Sequence, residues 1–236
     1  MKSILVQKIL DSERMEYLHE KGKVYTFLNP VSYLDARKHK ELFSRFDGIF
    51  ADGSLLVGAI SILYGKKVTR RSCDWTSIAR DVFHRAEDTG ETIYLIGTMQ
   101  EELELTISNF RKHCSKAKIV GGHHGYFSSQ EEKVAAIKEM LEAKPDFLLV
   151  GMGIVKQEEM LLLAKDMGFE GIGFTCGGFL HQTAQPEVEY YPQWIDRMNI
   201  RFFYRMYKEP YTRKRYFIGG LKFPLYFLWD RFFEKK

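Results

Sequence analysis

Asp52 stands directly after the apolar run Ile49-Phe50-Ala51 and before Gly53. A carboxylate at the carboxyl end of a buried strand can take the proton from an attacking hydroxyl, which requires only hydrogen-bond reach. It can equally cap a helix opening near Ser54, and the residues alone leave both readings open. Asn29, followed by Pro30, has a similar position: its amide suits a ligand hydroxyl, or it opens a turn. Arg70 and Arg71 offer guanidinium groups to a phosphate, or form a solvated turn, while Asp74 reads as the cap of a helix starting at Trp75.

Two glycine-containing turns follow the same logic. Gly151-Met152-Gly153 follows an apolar strand, and Lys156-Gln157-Glu158 opens the next helix, where backbone N–H groups attract anions and Gln157 is placed for a sugar or phosphate. Cys176-Gly177-Gly178 follows another strand. His123 and His124 are adjacent, so they point different ways, and no third ligand has metal-site spacing; no metal is expected there.

These residues need a scaffold of parallel strands. Candidate strands are Val24 to Leu28, Gly48 to Phe50, Thr92 to Ile96, Lys118 to Val120, Phe147 to Val150 and Gly171 to Thr175. Amphipathic stretches alternate with them, clearest at Glu101 to His113 and at Ser129 to Ala143, the second opening with a Ser-Ser cap before Glu131 and Glu132. The pattern predicts an α/β fold, a Rossmann-like, mainly parallel sheet with flanking helices, whose ligands bind beyond the strands' carboxyl ends.

Composition divides the chain. Residues 197–236 hold eleven Lys or Arg against three acidic residues, and 13 of the 34 aromatics, although the net charge of the whole is only +4. This predicts a body over 1–190 and a basic, aromatic, helical C-terminal appendage over 191–236, with Trp194, Ile195, Met198, Phe202 and Met206 on one helical face. The apolar stretch Tyr216 to Phe233 is not expected to span a bilayer, because Lys222, Asp230 and Arg231 interrupt it and Gly219, Gly220 and Pro224 break helical continuity. Three separated cysteines, without CxxC spacing, and an N-terminus without a signal-peptide pattern point to the cytoplasm.

Taken in order, FLNPVSYLDAR (27–37), FADG (50–53), YLIG (94–97), HHGYFS (123–128), DFLLVGMGIVKQE (146–158) and FYRMYKEPYTRKRY (203–216) resemble the WecG/TagA/CpsF glycosyltransferases of bacteria. The resemblance implies hexose or N-acetylhexosamine transfer from a UDP-sugar to an undecaprenyl-diphosphate-linked saccharide. It implies inverting chemistry without a metal or other cofactor, at the inner face of the cell membrane. It assigns Asp52 as general base and carries over Asn29 and Gln157. Gly125 and Tyr126 contact the nucleotide base, and Gly151, Gly153, Lys156, Gly177 and Gly178 line the substrate site. Arg205, Arg213 and Arg215 of the appendage close over the diphosphate, consistent with the lack of an Asp-x-Asp element. The expected partners are the UDP-sugar, the polyprenyl-linked acceptor and an anionic membrane surface, with a homo-oligomer left open.

Two other functions compete. A nucleotide-sugar-modifying Rossmann enzyme lacks support, since there is no GxGxxG after a first strand and no Tyr-x-x-x-Lys pair placed for catalysis. The basic aromatic tail also suits a non-enzymatic nucleic-acid or membrane module, but no nucleic acid is the expectation.

Overall fold

The computed structural model describes residues 3–185, 195 and 201–233. Six strands are present: β1 (Val24–Leu28), β2 (Gly48–Ala51), β3 (Thr92–Gly97), β4 (Lys118–His123), β5 (Phe147–Gly151) and β6 (Ile172–Thr175). All pair in parallel, in the order β2-β1-β6-β5-β3-β4. The chain builds outward from β1 to β2, crosses to β3 and β4, then fills the middle with β5 and β6. Such a reversal leaves a crevice at the carboxyl ends of the central strands.

Except at the edge strand β4, both faces of the sheet are covered, so its strands read as mainly apolar runs whose residues alternate between two cores. One core takes Val24, Leu28, Ile49, Tyr94, Ile96, Leu148 and Val150. It is packed by α1 (Ile4–Ser12), α2 (Pro30–Ala36), α3 (Lys40–Ser44), α4 (Ser54–Tyr64), α7 (Gln130–Glu142) and α8 (Lys156–Asp166). The other takes Tyr25, Phe50, Ile93, Leu95, Phe147, Leu149 and Phe174, under α5 (Ile78–Thr89), α6 (Gln100–His113) and α9 (Phe179–Thr183). There Phe50, Tyr25 and Phe174 stack across three adjacent strands with ring centroids 5.5 and 5.3 Å apart. All three cysteines are buried and free. Ser129 caps α7 as expected, accepting from the Glu132 N–H at 3.2 Å.

Beyond the body, α10 (Arg201–Lys208) leads through a 3-10 turn at Pro210–Thr212 into α11 (Arg213–Phe233). The expected boundary near 190, with Trp194 and Met198, lies outside the described residues. The expectation that Gly219, Gly220 and Pro224 break the helix is wrong: α11 is continuous over 21 residues. Gly219 is instead the point of closest packing, since a Cβ there would lie 2.9 Å from Val31 Cγ2 of α2. Phe223 and Phe227 follow on the same stripe and meet the Tyr33 ring edge-on. Asp230, one further turn along, accepts from Tyr33 Oη at 2.8 Å and pairs with Arg37 Nε at 2.7 Å, fully buried. Tertiary contacts of this kind override the local propensity that a glycine pair and a proline express. Among the described residues no helix is long and apolar enough to cross a membrane.

Candidate active site

A cleft of about 1030 Å3 opens at the carboxyl ends of the strands, and five of the six strand ends, with the turn after β4, contribute to its wall. The turn after β3 approaches the one after β5 backbone to backbone. A side chain at Gly97 would overlap the Gly151 carbonyl, and a Cβ at Gly125 would lie 2.9 Å from Gly97 Cα. Glycine is thus required where three turns meet to form the floor. Above that floor Tyr126 is 68% exposed, a ring presented to the cleft rather than buried in the core, as stacking on a base requires.

At the other end of the cleft, α4 takes Gly53 as its N-cap, and Asp52 stands one residue before it. Its Oδ1 lies 3.7 Å from Arg70 Nη2, and the same guanidinium sits 3.8 Å from Asp74 and donates to Ser72 Oγ at 3.1 Å. Arg70 thus faces the cleft between two carboxylates. Arg71, its expected alternative, does not reach the cleft: it pairs with Glu13 at 3.4 Å and lies over the Phe50 and Tyr17 rings. The reversal is the ordinary alternation of neighbouring residues in extended chain. Asp74 accepts from Thr76 N–H and Oγ1 at 2.8 and 2.6 Å, capping a turn before α5, which begins three residues later than expected.

Asn29 combines both of its readings. Its Oδ1 caps α2, accepting from Val31 and Ser32 N–H at 3.0 and 2.9 Å, and Ser32 Oγ accepts from the Asn29 N–H. The carbonyl half is therefore structural, and the amide NH2 is the half left to meet a ligand in the cleft.

The start of α8 departs most from expectation. Glu158 is fully buried, and its carboxylate accepts from the Val155 N–H at 2.6 Å, Thr26 Oγ1 at 2.8 Å and Gln157 Nε2 at 2.9 Å. Thr26 in turn contacts Thr175 Oγ1 at 2.8 Å. Burial pushes the Glu158 carboxyl up, against these hydrogen bonds. At the helix N-terminus expected to receive a phosphate, the Val155 N–H is already engaged by this internal carboxyl group. Val155, at φ 73°, is held in a strained conformation by this bond. Gln157 accepts from the Gly177 N–H at 3.1 Å, so its amide ties α8 to the turn after β6. Lys156, Gly153, Gly177 and Gly178 line the cleft. Glu158 was legible only as a helix-start glutamate three residues after the cap.

A second group missed in the sequence lies between α6 and α9. Glu102 accepts from Thr98 Oγ1 and from His181 Nδ1, the latter at 2.9 Å, and all three residues line the cleft. Burial raises the Glu102 carboxyl, but these two partners outweigh it and hold it below the usual range.

The appendage supplies the roof. Arg205 and Arg215 line the cleft. Arg205 pairs with the buried Glu209 at 3.1 Å and rests on Gly178, where a Cβ would lie 2.8 Å from its Nη2. Arg215 reaches Asp35 at 3.3 Å. Arg213, expected beside them, is on the far side of this roof and donates to the Met206 carbonyl at 2.8 Å. His123 stacks on Phe127 and donates through Nδ1 to the His124 carbonyl at 2.8 Å. Among the described residues no three His, Cys, Asp or Glu side chains gather as a metal site.

A parallel α/β sheet with a cleft at its strand ends, lined by a carboxylate at one end and arginines above, has the architecture of a ligand-binding α/β protein. The chain belongs to the WecG/TagA/CpsF glycosyl transferase family, whose model matches residues 4–236. It is 36% identical over 223 residues to the UDP-Gal:alpha-D-GlcNAc-diphosphoundecaprenol beta-1,4-galactosyltransferase of Shigella boydii, covering 94% of this chain and 90% of that one. It is 23% identical over 211 residues to the N-acetylglucosaminyldiphosphoundecaprenol N-acetyl-beta-D-mannosaminyltransferase of Bacillus subtilis strain 168, covering 87% and 80%.

Proposed function

We propose that this glycosyltransferase moves a hexose or N-acetylhexosamine from a UDP-sugar to the saccharide of a polyprenyl-diphosphate acceptor, with inversion and without a metal ion. Galactose transfer to GlcNAc-diphosphoundecaprenol is the form of the reaction that the name of the Shigella relative favours. The observation that carries the reading is the position of Asp52, partly exposed just beyond the end of β2, in the same cleft as Tyr126, Arg205 and Arg215. Tyr126 stacks on the uracil, and the floor glycines admit the nucleotide close to the backbone. Asp52 takes the proton from the acceptor hydroxyl as its oxygen bonds to the anomeric carbon. The bond from that carbon to the diphosphate breaks on the opposite face, and UDP leaves with the electron pair. Arg205 and Arg215 offset the charge that develops on the leaving diphosphate. Asn29 holds a sugar hydroxyl through its NH2, and Gln157 acts by holding the turn at Gly177.

In this reading residues 201–233, the described part of the expected appendage, complete the site and rest on the inner face of the cytoplasmic membrane. The support is the outward stripe of α11, where Leu221, Leu225, Leu228, Trp229 and Phe232 are exposed opposite its buried stripe, with Lys222 beside them. Replacing Asp52 with Asn tests the base directly. Calorimetry should find UDP affinity nearly unchanged, while transfer to a synthetic polyprenyl-diphosphate acceptor falls by about 10²–10⁴-fold. A variant that retains the full rate removes Asp52 from the mechanism.

A further inference from the structure

The roof of the cleft has two sides of opposite chemistry. Arg205, Thr212, Arg215 and Tyr216 face the cleft. Phe203, Met206, Tyr207 and Phe217 line a second, shallow groove of about 540 Å3, with Arg213 and Lys214 beside them. Helix geometry explains the split, since residues 203, 206 and 207 share one face of α10 and residue 205 does not. The bond from Arg213 to the Met206 carbonyl ties the two helices together at the groove. Phe203, Tyr207 and Phe217 are 57%, 74% and 68% exposed there, an apolar patch of the kind that marks a binding surface.

We infer that this groove holds the first part of the acceptor's isoprenoid chain, with Arg213 and Lys214 meeting the acceptor's own diphosphate. The inference rests on the lipid-linked acceptor proposed above. An amphiphile with an anionic head and an apolar tail matches a groove whose lining is apolar and whose flank is cationic. The groove shares a wall with the cleft, so a chain seated in it starts beside the site where its sugar reacts. Two diphosphates then have separate partners: the donor's lies under Arg205 and Arg215, the acceptor's beside Arg213 and Lys214. Arg213 thereby gains a role that its absence from the cleft otherwise leaves unexplained. The outward stripe of α11 from Leu225 to Phe232 begins about two turns beyond Phe217 and suits bilayer chains instead.

Photo-crosslinking of the full chain in detergent micelles tests the inference without requiring turnover. The probe is a polyprenyl-diphosphate GlcNAc carrying a diazirine in its first isoprene units. Labelling is expected between Phe203 and Phe217, reduced by unlabelled polyprenyl diphosphate and unaffected by phosphatidylglycerol. In parallel, Met206→Glu and Phe217→Ser should each raise KM for a long-chain acceptor by about tenfold with little change in kcat, and shift KM for a short-alkyl analogue far less. Labelling spread over Leu225 to Phe232, or competed by phosphatidylglycerol, would mean bilayer contact and overturn the inference. Crosslinks between two chains would mean a dimer interface, and an equal KM rise for both acceptors a structural wall. Transfer to neither acceptor by the unmodified protein would instead defeat the proposed reaction, a failure distinguishable because labelling is read independently.

Discussion

The floor and the roof of the cleft are built in opposite ways. The floor is backbone, turns of parallel strands brought together through Gly97, Gly125 and Gly151 and pinned from behind by Glu158. The roof is side chains, carried on α10 and α11 and anchored to the body through Gly219, Phe223, Phe227 and one buried ion pair, with Arg231 adding a bond to the Leu63 carbonyl at 2.9 Å. A backbone floor is rigid and shapes the site before any ligand arrives. A roof docked by a single stripe can be lost while the floor stays folded. The difference teaches that nucleotide binding and transfer should be separable by mutation.

The largest effect is expected at the anchor. Asp230→Ala takes the carboxylate from Arg37, four-fifths buried, and the partner from Tyr33 Oη. Breaking a buried pair from one side costs about 3–5 kcal/mol, here charged against docking of α11. Transfer should collapse, while UDP affinity falls by about tenfold at most, and limited proteolysis should cut residues 201–233 first. If UDP affinity and transfer fall together, roof and floor are one cooperative unit and the contrast fails.

Gly97→Ala attacks the floor instead. The added methyl overlaps the Gly151 carbonyl and has no flexible neighbour to displace, an overpacking cost of about 3 kcal/mol. UDP binding and transfer should decline in parallel, read by calorimetry and a rate assay, with a lowered Tm. A variant with normal UDP affinity would show that the three turns can separate without harm.

What could be read from the sequence follows the same division. All six strands were legible to within a few residues, because strands buried on both faces give apolar runs ended by glycine or small polar residues, as at Phe147 to Gly151. Of the floor glycines, Gly151 was legible as the end of such a run, whereas Gly125 came only from the family resemblance. The roof was not legible. Gly219 looks like a helix breaker until Val31 is known to press against it, and Arg205, Arg213 and Arg215 share one basic motif yet divide between two sides of a wall. Glu158 was hidden differently: a glutamate in a helix's first turn is ordinarily solvated, and only the sheet position of Thr26 and Thr175 reveals its burial.

That burial gives the floor a pH signature. Burial raises the Glu158 carboxyl above its ordinary value of 4.5, so the folded state binds the proton more tightly than the unfolded chain. The stabilisation is complete below that ordinary value and is lost as pH rises through the raised one. Glu158→Gln removes the titration. Its Tm relative to the parent should therefore rise as pH climbs above the ordinary carboxylate range, with the roof unaffected. A difference that stays constant over that climb would mean the carboxyl does not titrate there.

The smallest effect distinguishes two neighbours that the sequence could not. Arg71→Gln loses one ion pair to Glu13 and a cation over the Phe50 and Tyr17 rings, together worth about 1 kcal/mol. Its consequence should be a slightly lower Tm with transfer essentially intact, because the guanidinium lies behind the wall of the cleft. Arg70→Gln removes the charge beside Asp52, so transfer should fall by about tenfold or more with little loss of Tm. The two substitutions delete the same chemical group one residue apart, so a difference between them reports the side of the chain each occupies. If Arg71→Gln proved the more damaging to transfer, Arg71 rather than Arg70 would face the substrate, and Asp52 would lose the neighbour that defines its end of the cleft.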